Sequence, residues 1–154
     1  MEGRYNLRMQ IKELGHVVLY VSNLKRSADF YRDTLGFHEI HRDSATAVFS
    51  SGRTHHELLL IEVGGSPAER SQPTPGLYHI GFKIGDSPED AKKAYRELEE
   101  KGVAIVGVGD HAVTHSIYVL DPDNNELELY ADVSDEWKKN PQAVMKPVRP
   151  LNLQ

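Results

Sequence analysis

The chain has 154 residues, 39% of them hydrophobic and 27% charged, with a formal net charge of −5 and a pI near 5.9. That balance fits one globular unit with a real core, and an acidic chain without a Lys/Arg cluster excludes an electrostatic nucleic-acid surface. The absence of cysteine excludes a disulfide framework and a thiolate metal site; no apolar run nears the roughly 18 residues of a membrane span, and Met1 to Gln10 holds no signal-like apolar core, so a cytoplasmic address is expected.

In chain order, Gly15 to Val21 reads as a buried strand, and Ser22 and Asn23 offer caps for a helix from Leu24 to Leu35 that stops at Gly36. Leu24, Ala28, Tyr31 and Leu35 form its apolar stripe. Strands follow over Phe37 to His41, Ala45 to Ser50 and His55 to Val63, broken by the turn signals Asp43-Ser44 and Ser51-Gly52. Gly64 to Pro75 is a linker rich in Gly, Ser and Pro.

The same order then recurs: strand Tyr78 to Ile84, helix Pro88 to Lys101 capped by Asp86 or Ser87 and closed by Gly102, and strands Val103 to Val108, Thr114 to Leu120 and Glu126 to Ala131. His16 and His79 occupy matching places 63 residues apart, which marks a duplication. The expected architecture is α+β, with two paired βαβββ modules at 12–63 and 76–132 forming a single domain over 12–132. Residues 133–154, with Trp137 and three prolines, are expected to form a short helix and an extended arm.

Each copy places one histidine among apolar strand residues. On the last strand Glu126, Glu128 and Tyr130 share a face, because side chains alternate with period two. Laying the copies over one another sets Glu57 against Glu126 and Leu59 against Glu128, so Glu128 is the carboxylate expected to sit deepest. A core-facing carboxylate is costly unless paired or metal-bound, and Lys83 is the one basic residue on the facing strands. Two imidazoles and a carboxylate, His16, His79 and Glu128, make a facial triad of the kind associated with non-haem Fe(II) oxygen chemistry, which Mn(II) or another divalent ion also accepts. His38, His41 and His115 read as surface or structural, and Glu97, Glu99, Glu100 and Lys101 as the wet face of the second helix.

Several segments together resemble the vicinal oxygen chelate superfamily, which includes glyoxalase I, fosfomycin and bleomycin resistance proteins and type I extradiol dioxygenases. They are Leu14-Gly15-His16-Val17-Val18-Leu19-Tyr20-Val21, Phe30-Tyr31-Arg32-Asp33-Thr34-Leu35-Gly36-Phe37, Gly76-Leu77-Tyr78-His79-Ile80-Gly81-Phe82, and Tyr118 through Tyr130. The resemblance implies a curved mixed sheet around a metal site. Three details resemble the extradiol branch: the doublet His55-His56, the loop Asp110-His111-Ala112-Val113-Thr114, and Tyr118 ten residues before Glu128. Asn124 stands where the family's Asp-Pro-Asp-Gly turn has glycine, and Asn tolerates the left-handed backbone that turn needs.

On this resemblance a small catecholic aromatic chelates Fe(II) opposite the triad and O2 takes the remaining position. His56, or less directly His55, moves a proton beside the oxygen, Tyr118 stabilises the substrate oxygen, and His111 reaches the substrate. Glyoxalase I takes a second glutamate from the strand that here carries Leu59, with Glu57 its stand-in only if the register slips by two. A glyoxalase-type lyase, isomerase or thiol transferase using Ni, Zn or Mn is the alternative, and a non-catalytic resistance protein is a third. A homodimer is expected, with the site inside one chain or shared between two by exchange of modules; neither nucleic acid nor membrane is an expected partner.

Overall fold

A computed structural model describes residues 9–67, 69 and 72–154. The first eight residues, and Ala68, Arg70 and Ser71 of the expected linker, lie outside the described residues. No described helix is long and apolar enough to cross a membrane.

The α+β duplication is as the sequence implies, each copy building its own four-stranded mixed sheet. The first module runs β1 (Val17–Val21), α1 (Leu24–Asp29), β2 (His38–Arg42), β3 (Thr46–Ser50) and β4 (Leu58–Glu62); the second runs β5 (His79–Gly85), α2 (Pro88–Glu100), β6 (Ile105–Asp110), β7 (Thr114–Leu120) and β8 (Glu126–Asp132). The orders are β1-β4-β3-β2 and β5-β8-β7-β6, with the first pair parallel and the rest antiparallel. Strand alternation gives each sheet one helix-facing side. Leu19, Val21, Ala47, Phe49, Leu58 and Leu60 pack against Leu24, Ala28 and Tyr31, while Ile80, Ile117, Leu127, Leu129 and Ala131 bury against Ala91 and Leu98.

Both helices start on a side-chain cap, where an oxygen accepts an otherwise orphaned amide. Asn23 Oδ1 accepts from Arg26 N at 2.8 Å, and Ser87 Oγ accepts from Asp90 N at 3.2 Å, while Asp90 returns contacts to Asp86 N and Ser87 Oγ. The first helix does not reach Leu35 as a regular α-helix: Phe30–Thr34 is a π turn, closed by Gly36 at φ 75°. This widening lets Tyr31, fully buried, aim its hydroxyl at Asp121 Oδ2, 2.8 Å away in the second module. Burial, then the Asp121 carboxylate, pushes the Tyr31 phenol well above its ordinary pKa.

The turn around Asp121 and Asp123 is the joint between modules. Asp123 accepts from Ser22 N at 3.0 Å, from the Ser22 and Ser27 hydroxyls, and from Arg26; Asp121 also binds the amides of Asp123 and Asn125. Asn124 adopts φ 63° inside this turn, the left-handed conformation expected of it.

Past β8 the chain forms α3 (Glu136–Lys139) and a 3₁₀ turn (Pro141–Met145), then extends, with Arg149 bridging antiparallel to Asp110 and Leu153 buried.

Two substitutions test the packing. Tyr31→Phe removes a buried donor and should lower stability by about 1–2 kcal/mol in urea unfolding. Gly85, at an irregularity where β5 leaves its register with β8, lies so close to Asp90 that an added Cβ overlaps that side chain; Gly85→Ala should cost about 1–3 kcal/mol.

Candidate functional site

The open face of the second sheet collects ionisable groups. His79 opens β5, and its register partners are Glu126 directly and, two residues on, Glu128 opposite Gly81. The imidazole lies between both carboxylates, Nε2 3.1 Å from Glu128 Oε2 and Nδ1 3.5 Å from Glu126 Oε1. Nδ1 is buried without a hydrogen-bond partner among the described residues. Glu126 and Glu128 are similarly shielded, at 19% and 17% side-chain exposure, so depth does not separate them; direction does.

Glu128 Oε1 accepts from Ser116 Oγ at 2.6 Å and from the Tyr118 hydroxyl at 3.3 Å. Ser116 and Tyr118 stand on one face of β7, and Tyr118 is the register partner of Glu128. His111, on the β6–β7 loop, brings Nε2 to 2.8 Å from the Tyr118 oxygen. The result is a row of side chains, His111, Tyr118, Glu128 and His79. Burial and the Glu128 carboxylate push the Tyr118 phenol up to about 12. Lys83 turns away to Asp86 and Asp132, at 2.5 and 2.7 Å, and leaves the row without a lysine. Glu126 is also hydrogen-bonded to Tyr78, whose phenol it holds above its ordinary pKa.

The open face of the first sheet is different in kind. Val18 pairs with Leu59 and Tyr20 with Ile61, giving an apolar wall where the second sheet carries Glu128 and Tyr130. Position 59, the match of 128, holds leucine. Glu57 is not on the strand: it caps a turn, accepting from Ser51 N at 2.7 Å and Thr54 N at 3.0 Å, so β4 begins at Leu58 and not at His55. Arg53 ties this turn to the carbonyls of Leu14 and Gly15 at 3.0 and 3.1 Å, which brings His55 and His56 beside His16. The His16 and His56 rings lie 4.4 Å apart between centroids, and the Nδ1 atoms of His55 and His56 are 2.6 Å apart. Burial, then the neighbouring His16 and His55, pushes the His56 imidazole below its ordinary pKa.

The expected ligands thus fall into two groups, His79 with Glu128 on one module and His16 with His55 and His56 on the other. Among the described residues no three such side chains are gathered closely enough to hold an ion. His79 nevertheless turns one nitrogen toward Glu128, a carboxylate that can share an ion, and the other toward Glu126, which lies on the side where an outer carboxylate stands in ligating histidines but does not hydrogen-bond the ring. A cleft of about 730 Å³ between the modules, lined by Phe37, Phe82, Arg53 and Lys83 among others, has no histidine in its described lining. Ser116 is the site contact the sequence reading passed over, while Glu126 was already placed on the face of Glu128. The period-two alternation that puts Ser116 beside Tyr118 was its signal.

Residues 13–129 match the family model of the Glyoxalase/Bleomycin resistance protein/Dioxygenase superfamily, and the chain belongs to that superfamily. It is 34% identical over 119 residues to a catechol-2,3-dioxygenase of Bacillus subtilis (strain 168), covering 77% of this chain and 41% of that one. It is 33% identical over 120 residues to biphenyl-2,3-diol 1,2-dioxygenase 3 of Rhodococcus globerulus, covering 77% and 63%. The chain therefore spans less than two thirds of these dioxygenases. It is also 34% identical over 122 residues to the metallothiol transferase FosB of Staphylococcus haemolyticus (strain JCSC1435), covering 78% of this chain and 84% of that one. A glyoxalase/dioxygenase from Nostoc punctiforme shares the fold, with a TM-score of 0.65 at 22% identity over 87% of this chain and 97% of that one.

A phenol pKa raised in the folded state contributes stability that is present below about pH 10, the unfolded value, and lost as pH rises through 12. Chelator-treated protein should therefore lose stability between about pH 10 and 12 more steeply than its Tyr118→Phe variant, measured by urea unfolding at stepped pH.

Proposed function

We propose that this chain is a metal-dependent extradiol-type dioxygenase that opens a catecholic ring with O2, and that it works as a homodimer. The observation that carries this reading is the row His111–Tyr118–Glu128–His79, with contacts of 2.8, 3.3 and 3.1 Å, taken with the leucine that replaces a carboxylate at position 59 of the other module. Without a second glutamate from β4, a divalent ion held by two histidines and Glu128 keeps positions open for a bidentate substrate and O2. The nitrogen and oxygen donor set suits Fe(II) or Mn(II), and the likeness to dioxygenases acting on aromatic diols supports a divalent metal at this site.

The missing histidine is supplied by His16 of a second copy. Leu14, His16, Val18 and Tyr20 form an exposed row on an edge strand and the residues before it, with Leu14 and Tyr20 at 74% and 71% exposure. An apolar edge of this kind is a pairing surface unless something covers it. Seating that row on the His79–Glu128 face of the second copy covers the apolar wall and completes the ligand set. The same movement brings His56 to the site together with His16.

Held by His79, Glu128 and the second copy's His16, Fe(II) would supply Lewis-acid and redox chemistry for a catechol and O2. The protein's residues orient and move protons. Tyr118, a neutral phenol over the physiological range, donates a hydrogen bond to the ionised substrate oxygen. His111 relays a proton through the Tyr118 hydroxyl, and His56, with an imidazole pKa below the ordinary value, acts as base or acid at the oxygen side. The apolar wall of Val18, Leu59 and Ile61 excludes water around the ring.

A second reading, a metal-dependent thiol transferase, is favoured by the fuller coverage of FosB, 84% of its length. Oxygen uptake with catechols separates the two from thiol addition to an epoxide.

The shared site is tested by complementation. His16→Ala and His79→Ala chains should each lack stoichiometric iron and turnover. Unfolded together and refolded with iron, an equal mixture should regain about a quarter of wild-type sites, because half the dimers are mixed and each holds one intact site. No recovery, with a wild-type monomer that binds iron and consumes O2, places the site within one chain and sinks the shared arrangement.

A further inference from the structure

The strongest feature outside the two half-sites is the contact between the C-terminal arm and the loop that carries His111. The family match ends at residue 129, so the arm lies beyond the shared region. It is nonetheless anchored: Ala143 and Leu153 are buried, and Leu151 packs against the core.

Between these anchors Arg149 grips the last residue of β6, the outer strand of its sheet. Asp110 N donates to Arg149 O at 3.0 Å, Arg149 N donates to Asp110 O at 2.9 Å, and Arg149 Nη2 reaches Asp110 Oδ2 at 2.8 Å. The other oxygen of that carboxylate accepts from Ala112 N at 2.7 Å. Ala112 has φ 68°, a left-handed conformation that an alanine holds only when its surroundings impose it. The loop is closed by His111 N to Thr114 O at 2.9 Å and Val113 N to His111 O at 2.8 Å. The arm also touches the imidazole's bed. A Cβ added to Gly109 would lie 3.0 Å from Val148 Cγ1 and 3.2 Å from His111 Nε2, so arm and ring converge on a strand residue that has no side chain.

We infer that the arm is a positioning device: Arg149, through Asp110 and the strained Ala112, sets the His111 loop so that the imidazole meets the Tyr118 hydroxyl. The role of His111 at the site rests on the function proposed above, but the positioning itself does not. A one-sided loop without this grip relaxes Ala112 toward ordinary backbone and swings His111 off Tyr118. Arg149 acts through other residues and is not itself catalytic. Its guanidinium is 66% exposed, so its loss leaves the fold standing.

The test uses the full chain in four forms: wild type, Arg149→Ala, Arg149→Lys and Asp110→Asn. In Arg149→Ala, amide exchange at His111 and Ala112 should speed up about tenfold or more, as a local opening that leaves the core strands protected. Long-range ¹H–¹⁵N spectra should show the His111 ring passing from one tautomer to a mixture. Arg149→Lys should recover part of the order, and Asp110→Asn should lose part of it while keeping an acceptor for Ala112. With iron and a catechol, Arg149→Ala should lower kcat about tenfold at nearly constant KM, with no further loss in a His111→Ala background. Unchanged exchange and tautomer in Arg149→Ala overturn the inference, and so does an equal loss of kcat with His111 already removed. A disordered loop with His111→Ala turnover at the wild-type level supports the positioning and overturns the catalytic role of His111 instead.

Discussion

Two buried aspartates in one turn decide how this chain is put together. Asp121 and Asp123 leave the end of β7 and enter the first module, where Tyr31, Ser22 and Ser27 meet them with hydroxyls and backbone amides. A carboxylate out of water is expensive unless every lone pair finds a donor. Here the donors come from both modules, so neither half satisfies the turn alone. The joint therefore fixes the relative placement of the helices and, through them, the outward direction of both open sheet faces. The π turn in the first helix serves the same end, since it carries Tyr31 to Asp121.

The modules are copies in backbone and opposites in surface chemistry. Equivalent strand positions carry Leu59 and Glu128, Val18 and Gly81, Tyr20 and Lys83. One open face is an apolar wall with histidines at its rim, and the other is a row of carboxylates, phenol, hydroxyl and imidazole. A face of the first kind loses free energy in water through its exposed apolar area, and a face of the second kind through charges that lack a counter-charge. Each supplies what the other lacks.

Most of this architecture could be read from the sequence, and the exceptions share a cause. The α2 helix, β7 and β8 fall within a residue or two of their expected bounds, because period and capping are local. Asn124 sits in the left-handed turn foreseen for it, and Gly36 and Gly102 close their helices. His16, His79 and Glu128 stood out because ionisable groups are rare among core-patterned strand residues. What escaped depended on contacts far apart in the chain: the π turn that answers to Asp121, the Glu57 cap that delays β4 to Leu58, and the bridge from Arg149 back to Asp110. Whether His16 meets His79 and Glu128 within one chain, which the sequence left open, is a question of the same class. A matched offset of 63 residues says that two histidines are equivalent, and says nothing of whether equivalent positions meet.

On the proposed arrangement, metal binding and association become one equilibrium. His79 and Glu128 alone offer two donors, too few to hold a labile divalent ion against water, and the apolar row before and along β1 alone offers a small edge. Bringing a second copy supplies the third donor and covers the edge together, so each event lowers the free energy of the other. A substrate held there would meet the apolar wall of the partner and the phenol of Tyr118, one excluding water and the other offering a proton. A substrate that chelates through two adjacent oxygens and presents a flat ring satisfies both surfaces, which a flexible thiol adduct satisfies less well. The chemistry of the two faces, read together, is therefore what tilts the reading toward a catechol.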